Sequence, residues 1–179
     1  MANKAANLIL IGFMGTGKSS VGRRVASSLG YRFVDTDKEI VDQEGQEIAD
    51  IFAERGEEVF RQIETQVLER CCQSDKQIIS TGGGIVIREE NRKILAAGGL
   101  VIWLRAEPES VYDRTKHNTD RPLLATDDPQ QTIKDLLESR EPLYKQCADL
   151  IVSTDDLSLD ETIFGVTETA QVWQTDGRL

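Results

Sequence analysis

The chain has 179 residues, the length of one average domain, and its 21 basic and 31 acidic residues give a formal net charge of -10. This acidic balance argues against a nucleic-acid-binding protein and against docking on anionic membranes, because both of those surfaces attract positive charge. At first sight it also disfavours an anionic small molecule, although such binding depends on the local field rather than on the net charge.

Few residue types are available for metal binding or for thiol chemistry. The three cysteines, of which Cys71 and Cys72 are adjacent, do not suggest a disulfide framework, and we interpret them and Cys147 as packing residues. The single histidine, His117, excludes an intrachain site built on two histidines and gives no zinc-binding pattern. Because no apolar run reaches the roughly 18 residues of a membrane span, we expect a protein of the reducing cytoplasm.

Apolar runs, helical spacing and glycine or proline boundaries divide the chain into alternating strands and helices. In chain order the predicted elements are strand 8–11, helix 18–29, strand 32–34, helices 46–52 and 57–71, strand 77–80, helix 88–97, strand 100–104, helices 108–116 and 130–140, strand 150–152 and helix 159–173. This alternation predicts an α/β fold, in which helices cover both faces of a parallel sheet. The polar segment 117–129, broken by two prolines, is a candidate lid.

A glycine-rich segment joins the first predicted strand to the first predicted helix. Residues 12–19 read GFMGTGKS and match G-x-x-x-x-G-K-[ST] in the strand-to-helix context that the motif requires. The glycines let several backbone N–H groups converge on one anion, and the positive end of the helix adds to their field. The segment therefore predicts nucleotide binding, with Lys18 on the β- and γ-phosphates and the Ser19 hydroxyl on magnesium.

Two further segments follow strands and so point to the same edge of the sheet. Asp35 and Asp37 are two residues apart, so in an extended chain both face one side, where one can hold a magnesium-bound water and the other can accept a proton. A solvated turn with an Asx hydrogen bond explains this pair about as well. The glycines at 82–84 stand where a usual Walker B strand ends in aspartate, which makes Asp35 the nearest metal carboxylate. They let the backbone approach a small ligand, although a flexible loop is the alternative.

Three arginines are candidates for binding an anionic acceptor, and each has a plain structural explanation. Arg61 lies three residues before Glu64 and could form a surface ion pair with it. Arg121 precedes a proline in the candidate lid and could be solvated. Arg140 ends a predicted helix, where a cation is favourable without any function. Arg114 is a weaker candidate, either a contact at the base of the lid or a charge on a helix surface.

Taken in order, these segments closely resemble the shikimate kinase family over about residues 8–154. The matching segments are 10–19, 33–37, 56–64, 81–84, 121–124 and 140–144. The resemblance implies a five-stranded parallel sheet in the order 2-3-1-4-5 and one P-loop kinase domain over residues 1–179. Within it, a shikimate-binding helical segment would cover about residues 37–64 and a lid about 113–127. A monomer is the default expectation for the oligomeric state. The implied activity is ATP- and magnesium-dependent phosphorylation of the 3-hydroxyl of shikimate.

The resemblance also implies a role for each acceptor-side residue. Asp37 would contact the hydroxyls of shikimate, including the one phosphorylated, and is the best candidate for the base. Arg61 and Arg140 would clamp the carboxylate of shikimate, with Glu64 orienting Arg61. Three glycines would line the same pocket, with the second of them the best candidate for a backbone donor: Gly82, Gly83 and Gly84.

On the nucleotide side, Lys18 would act in catalysis and Arg121 would descend with the lid onto the phosphates. Ser19 would hold magnesium directly and Asp35 through water. The remaining ATP contacts implied by the resemblance come from one loop: Gly15, Thr16, Gly17, Lys18, Ser19 and Ser20. Residues 153–156 stand where the family lines the adenine, and Leu157 stands where some members carry arginine, which leaves the adenine contact open.

Two alternative functions are compatible with parts of this pattern. The first is another small-metabolite kinase of the same fold, such as a gluconate-type kinase, which the arginine pair and the triple glycine disfavour. The second is a nucleotide-binding regulator without catalysis. Such a protein would be expected to lose Lys18, Asp37 or one arginine of the clamp, whereas all of them are present here.

Overall fold

Five parallel strands form one sheet, and the computed structural model describes residues 6–116 and 126–175. The strands are β1 (Leu8–Ile11), β2 (Arg32–Asp35), β3 (Gln77–Ser80), β4 (Leu100–Arg105) and β5 (Leu150–Ser153). Their order in the sheet is β2-β3-β1-β4-β5, which confirms the predicted α/β fold class and strand order. The middle of the candidate lid, which contains His117 and Arg121, lies outside the described residues.

Seven helices connect or follow these strands in the described part of the chain. They are α1 (Lys18–Leu29), α2 (Thr36–Glu44), α3 (Ile48–Cys72), α4 (Glu89–Gly98), α5 (Pro108–Thr115), α6 (Pro129–Cys147) and α7 (Leu159–Thr175). None of the helices within residues 6–116 and 126–175 is both long enough and apolar enough to cross a membrane.

The two faces of the sheet carry separate apolar cores, because side chains alternate along each strand. On β1, Ile9 and Ile11 pack in the cluster that includes side chains of α3, α4 and α6. Leu8 and Leu10 belong to the other cluster, with side chains of α1 and α7. The burial of all four residues of β1 places this strand at the centre of the fold, with its carboxyl end at the glycine-rich segment.

Helix α2 was not predicted, and its presence corrects the expected geometry of the aspartate pair. Only Thr36 and Ile40 of this polar helix are buried. Its sequence therefore needs few apolar residues and shows little of the apolar spacing from which a helix is predicted. Asp35 is the N-cap, and its side chain accepts a hydrogen bond from the backbone N–H of Asp37. The Asx hydrogen bond considered above is therefore present, and Asp37 lies in the first turn of a helix rather than in an extended chain.

The predicted helices 46–52 and 57–71 lie within α3, which is interrupted at Gly56. This residue has φ 81° and ψ 165°, a backbone conformation that side-chain-bearing residues rarely adopt. The change of direction at Gly56 separates the first segment of α3 from the segment that carries Arg61 and Glu64. The predicted boundary at this glycine is therefore confirmed.

The predicted end of a helix at Arg140 is wrong, since α6 continues to Cys147 through Pro142. Proline inside a helix removes one backbone hydrogen bond and normally favours a break. Here the following turn is anchored by Tyr144, which is fully buried against the sheet. Arg140 is therefore an interior residue of α6, and the helix C-terminus does not account for it.

Candidate active site

A cleft of about 280 Å³ opens at the carboxyl ends of β1, β2 and β3. Parallel sheets place the loops that follow their strands at this edge, which is where ligands of such folds bind. Three chain segments meet here: the glycine-rich loop after β1, the start of α2 after β2, and the glycine loop after β3. The lining residues are Met14, Gly15, Gly17, Lys18, Ser19, Ser20, Asp35, Asp37, Ser80, Thr81, Gly83 and Arg114.

The glycine-rich loop wraps around the amino end of α1. Gly17 is the N-cap of this helix and has φ 88°, a left-handed conformation that favours glycine. The Lys18 ammonium donates hydrogen bonds to the carbonyl oxygens of Gly12 and Phe13, both at 2.8 Å. The hydroxyl of Thr16 also bonds to Phe13, so this side chain stabilises the loop from within. The loop is thus closed around its own lysine at the positive end of α1.

Hydroxyl and carboxylate oxygens lie together beside this loop. Ser19 Oγ donates to Asp35 Oδ2 at 2.8 Å and lies 3.2 Å from Ser80 Oγ. Oxygen ligands of this kind suit Mg²⁺, which takes one or two protein ligands and fills its other positions with phosphate oxygens and water. The arrangement therefore fits a magnesium ion held by Ser19 and, through water, by Asp35. Ser80 was not among the predicted residues, although its place at the carboxyl end of β3 was a signal for it.

On the other side of the cleft, the buried Arg61 is held by two carboxylates, the buried Glu64 and the exposed Glu57. The Arg61 side chain is 5% exposed and donates to Glu64 Oε2 at 2.8 Å and to Glu57 Oε1 at 3.1 and 3.2 Å. The i,i+3 pair with Glu64 exists as expected, but it is buried rather than at the surface. A Cβ atom at Gly84 would overlap the Arg61 guanidinium, so this glycine makes room for it.

The Glu64 carboxylate lies close to both Arg61 and Asp37, the acidic residue in the first turn of α2. Only one of its oxygens bonds to Arg61, and the other, Oε1, is buried with no hydrogen-bond partner in the described part of the chain. Burial raises the pKa of Glu64, and the charge of Arg61 opposes that rise. A Cβ atom at Gly82 would lie 2.7 Å from Asp37 Oδ1 and 3.0 Å from Glu64 Oε1. Both carboxylates therefore converge on Gly82.

Helix α6 supplies the second buried arginine. Arg140 is 6% exposed, lies over the Phe13 ring at 5.5 Å from its centroid, and donates to the carbonyl oxygen of Gly83 at 3.4 Å. Tyr144, one turn further along α6, donates its hydroxyl to the same carbonyl. Tyr144 was missed, although its spacing of four residues from Arg140 places both on one side of a helix.

The two sides of the cleft meet at Gly83. A Cβ atom there would lie 3.2 Å from the backbone nitrogen of Met14 in the glycine-rich loop. Any residue larger than glycine at position 83 would push the glycine loop after β3 away from the glycine-rich loop after β1. The glycine loop that borders the two arginines is therefore in direct contact with the glycine-rich loop.

The family of this chain follows from a match to a protein-family model and from the similarity to two relatives. The model described as shikimate kinase matches residues 14–171 of this chain. A shikimate kinase of Symbiobacterium thermophilum is 45% identical over 167 residues, which cover 92% of this chain and 96% of the relative. Another, of Thermodesulfovibrio yellowstonii, is 45% identical over 155 residues, or 87% of this chain and 89% of the relative. The chain belongs to the shikimate kinase family.

The fold agrees with this assignment. A solved structure of shikimate kinase from Acinetobacter baumannii, in complex with shikimate, has a TM-score of 0.88 with this chain at 34% sequence identity. The two structures match over 98% of this chain and 96% of the other. The predicted family and the predicted class of enzyme, a phosphotransferase, are therefore confirmed.

For a shikimate kinase, the residues predicted from sequence fall into two groups in this structure. Eight of them line the cleft: Gly15, Gly17, Lys18, Ser19, Ser20, Asp35, Asp37 and Gly83, while Thr16 is buried within the glycine-rich loop. Four others form the buried wall behind it: Arg61, Gly82, Gly84 and Arg140. The position of Arg121 lies outside the described residues.

Arg114, the weaker candidate, lies on the cleft. Its guanidinium donates to the hydroxyl and the carbonyl oxygen of Thr154 at 2.9 and 2.7 Å, and to the carbonyl oxygen of Gly15 at 3.5 Å. It therefore ties the segment after β5 to the glycine-rich loop. Arg114 thus contacts two separate segments at the rim of the cleft, which its sequence position alone did not reveal.

Proposed function

We propose that this chain transfers the γ-phosphoryl group of ATP to the 3-hydroxyl of shikimate, giving shikimate 3-phosphate and ADP. The observation that carries the proposal is the convergence of two buried arginines, Arg61 and Arg140, on the glycine loop beside Asp37 and the phosphate-binding loop. Such a wall suits a small acceptor that has a carboxylate on one side and hydroxyls on the other. The related Acinetobacter baumannii structure, which contains shikimate, supports this acceptor.

The two arginines would contribute differently to binding the carboxylate. Arg61 is fixed by Glu57 and Glu64, so it offers a rigid guanidinium edge whose charge is already balanced. No carboxylate of the described residues lies within ion-pair distance of Arg140, which acts on Glu64 only at longer range, so more of its positive charge would be available to the substrate. A planar guanidinium matches a carboxylate with two parallel hydrogen bonds, and burial strengthens them.

Asp37 would accept the proton of the reacting hydroxyl. It lies in the first turn of α2 on the cleft, between the glycine-rich loop and the wall that holds the arginines. The N-cap bond from Asp37 N–H to Asp35 holds the backbone in place, so the side chain starts from a fixed position. Phosphoryl transfer needs little covalent help from the protein, and positioning of this kind is the main contribution.

The nucleotide would bind along the loop from Gly15 to Ser20. Lys18 would exchange its two backbone carbonyl bonds for the β- and γ-phosphates, and the backbone N–H groups at the start of α1 would bind the same anions. Ser19 would hold magnesium directly and Asp35 through water; the bound ion would neutralise the β- and γ-phosphate oxygens. Arg121 would stabilise the transferring group from a lid over about residues 113–127.

The proposal extends to the organisation of the chain. We assign residues 1–179 to one kinase domain, with a shikimate-binding helical segment over about 37–64. The enzyme would act as a monomer in the cytoplasm, where the product would enter the synthesis of chorismate and aromatic amino acids.

Coupled measurement of ADP release, with and without shikimate, tests the proposed function. We expect ADP release to depend on shikimate and on magnesium, and to be nearly lost in Asp37→Asn, which keeps the size of the side chain. Gluconate serves as the control acceptor, because it has a carboxylate and hydroxyls but no ring. ADP release that does not respond to shikimate, or that responds equally to gluconate, would contradict the assignment.

A further inference from the structure

Tyr144 forms the floor of the wall that contains the two arginines. Its side chain is fully buried, and its hydroxyl donates to the carbonyl oxygen of Gly83. A buried hydroxyl without a partner is costly, so this bond holds both groups in place. Gly83 has no side chain that could hold its own peptide, and a run of three glycines is conformationally free. The hydroxyl of Tyr144 therefore restrains the Gly83 carbonyl, which lies between the turn hydrogen bonds accepted by Gly82 and Gly84.

The ring of Tyr144 stands on a rigid base. It stacks on Trp103 with a centroid distance of 5.5 Å and an interplanar angle of 21°. Trp103 lies in β4 and pairs with Ile11, the last residue of β1 before the glycine-rich loop. Stacked aromatic rings on a central strand have little freedom to move. The position of the Tyr144 hydroxyl is thus set by the sheet that also positions the phosphate-binding loop.

One carbonyl group connects the two arginines. The oxygen of Gly83 also accepts a bond from Arg140 Nη1, and the same peptide unit continues into Gly84, which lies against the Arg61 guanidinium. Because a peptide unit is planar and trans, fixing this carbonyl also fixes the opposite direction of the Gly84 N–H. Because Arg61 is held by Glu57 and Glu64, the orientation of this peptide sets where Arg140 lies relative to it.

We propose that Tyr144 is a positioning residue for the acceptor, whose hydroxyl fixes the Gly83–Gly84 peptide and thereby the relative placement of Arg61 and Arg140. This inference rests on the proposed function, since it takes the ligand between the arginines to be shikimate. Tyr144 itself does not touch the reacting atoms in this account. Its effect reaches the carboxylate of the acceptor through Gly83 and Arg140.

The hydroxyl should remain a donor across the working range of the enzyme. Burial raises the pKa of Tyr144 far above its usual value, and the charge of Glu64 acts in the same direction. Arg140 on the same helix and Arg61 on α3 oppose this rise without cancelling it. We therefore expect the contribution of the hydroxyl to be the same at pH 7 and at pH 9.

The variant Tyr144→Phe removes the hydroxyl and keeps the ring. One net hydrogen bond corresponds to a factor of about 3–10 in binding, so we expect the KM for shikimate to rise about 3- to 10-fold. The contacts involved hold the acceptor equally before and during transfer, so kcat should stay within about twofold. The KM for ATP should not change, and the ratio of variant to wild-type KM for shikimate should be equal at pH 7 and pH 9.

Tyr31→Phe is the matched control. Tyr31 is half-buried, bonds to the side chain of Gln174, and packs against the core on the other face of the sheet. Tyr31→Phe also removes one tyrosine hydroxyl. We expect its melting temperature to shift about as much as that of Tyr144→Phe, while its KM for shikimate stays unchanged. An equal rise of KM in both variants would overturn the inference, because a general loss of stability would then explain it.

Two further results would overturn the inference: a KM for shikimate within twofold of wild type in Tyr144→Phe, or an equal rise in the KM for ATP. A wild-type enzyme that does not turn over shikimate would instead refute the proposed function, before any variant is made. Should Tyr144→Phe fold poorly, Trp173→Phe leaves Trp103, the only other tryptophan, as a reporter beside an intact Tyr144. The fluorescence emission of Trp103 should then change when shikimate is added but not when ADP is added. An unchanged emission would contradict the coupling between Tyr144 and the acceptor site.

Discussion

The two halves of the cleft are built in different ways. The half proposed for the nucleotide is built mainly on one stretch of chain, residues 12–20, with its backbone N–H groups and the amino end of α1, and Asp35 and Arg114 adjoin it. The acceptor half uses side chains from α2, α3 and α6 around the glycine loop after β3. A local motif can therefore identify a phosphate site, whereas an acceptor site made of side chains distant in sequence depends on the whole topology.

The same contrast explains how an acidic protein can bind two anions. The formal net charge of -10 belongs to the whole chain. Lys18, Arg61 and Arg140 are nevertheless all buried at one edge of the sheet, and Arg114 lies at its rim. Glu57 and Glu64 balance the charge of Arg61, so the local attraction for small anions comes mainly from Lys18, Arg140 and the backbone N–H groups at the start of α1, while the acidic remainder of the surface still disfavours nucleic acid. The first objection raised by composition therefore does not apply to small anionic ligands.

The largest effect should follow from removing the charge of the nucleotide half. In Lys18→Met, kcat should fall by about 10²- to 10³-fold, because a cation aimed at the transferring phosphates is lost. Shikimate binding, measured by calorimetry, should change little, since the acceptor half is separate. Lys93→Met is the control, because Lys93 forms an exposed pair with Glu89 on α4. A comparable loss of shikimate binding in Lys18→Met would show that the two halves are not independent.

The next effect separates the two arginines of the acceptor half. Both Arg61→Ala and Arg140→Ala should raise the KM for shikimate by about 10- to 100-fold, with ATP binding nearly unchanged, because each loses charged hydrogen bonds. Arg61→Ala should lower the free energy of unfolding more than Arg140→Ala does, by about 3–5 kcal/mol, because it leaves Glu64 buried without its partner. Chemical denaturation measures this difference. Equal stability of the two variants would contradict the buried pair.

A smaller effect should come from filling the space beside Arg61. In Gly84→Ala the new Cβ atom would overlap the guanidinium, which should cost about 1–3 kcal/mol of stability and weaken shikimate binding. Gly165→Ala is the matched control, since Gly165 lies in α7 with no atom within 4 Å of the Cβ position. That change should stabilise the protein by about 0.5–1 kcal/mol, as alanine does inside helices. Equal effects of the two substitutions on stability would argue against close packing at Gly84.

The smallest effect concerns thiols that lie away from the cleft. Burial raises the pKa of Cys71 to about 11 and that of Cys72 to about 12, and it also raises the pKa of Cys147. At pH 8 less than about 1% of Cys71 or Cys72 should be thiolate, so native protein should react slowly with iodoacetamide and keep its activity. The rate should rise about tenfold per pH unit, and denatured protein should react fast. Rapid alkylation that abolishes ADP release would place reactive chemistry outside the cleft.

The parts that sequence predicts well are those fixed by local rules. The strands, α1 and the break at Gly56 follow from apolar runs and glycine positions, and all are present. Helix α2 was missed because its stability comes from the Asp35 cap and from two buried residues rather than from an apolar stripe. Tyr144 and the extension of α6 past Pro142 depend on contacts with Gly83 and Trp103, which no local pattern contains.

The candidate site follows the same division. The residues of the phosphate loop could be placed from their motif alone, whereas Arg61 and Arg140 each had a plain structural explanation until the fold brought them together. Arg114 shows most clearly what a local sequence pattern does not predict, because its partner Thr154 lies 40 residues away in sequence. Only the order of the strands brings the two segments to one edge.

A crystal structure with bound shikimate and ADP tests the central claim most directly. The account predicts that the shikimate carboxylate lies between Arg61 and Arg140, with its 3-hydroxyl within hydrogen-bond distance of Asp37 and directed toward the phosphate-binding loop. The position of ADP should follow residues 15–20. Shikimate bound elsewhere, or bound with its carboxylate on Lys18, would contradict the division of the cleft into a nucleotide half and an acceptor half.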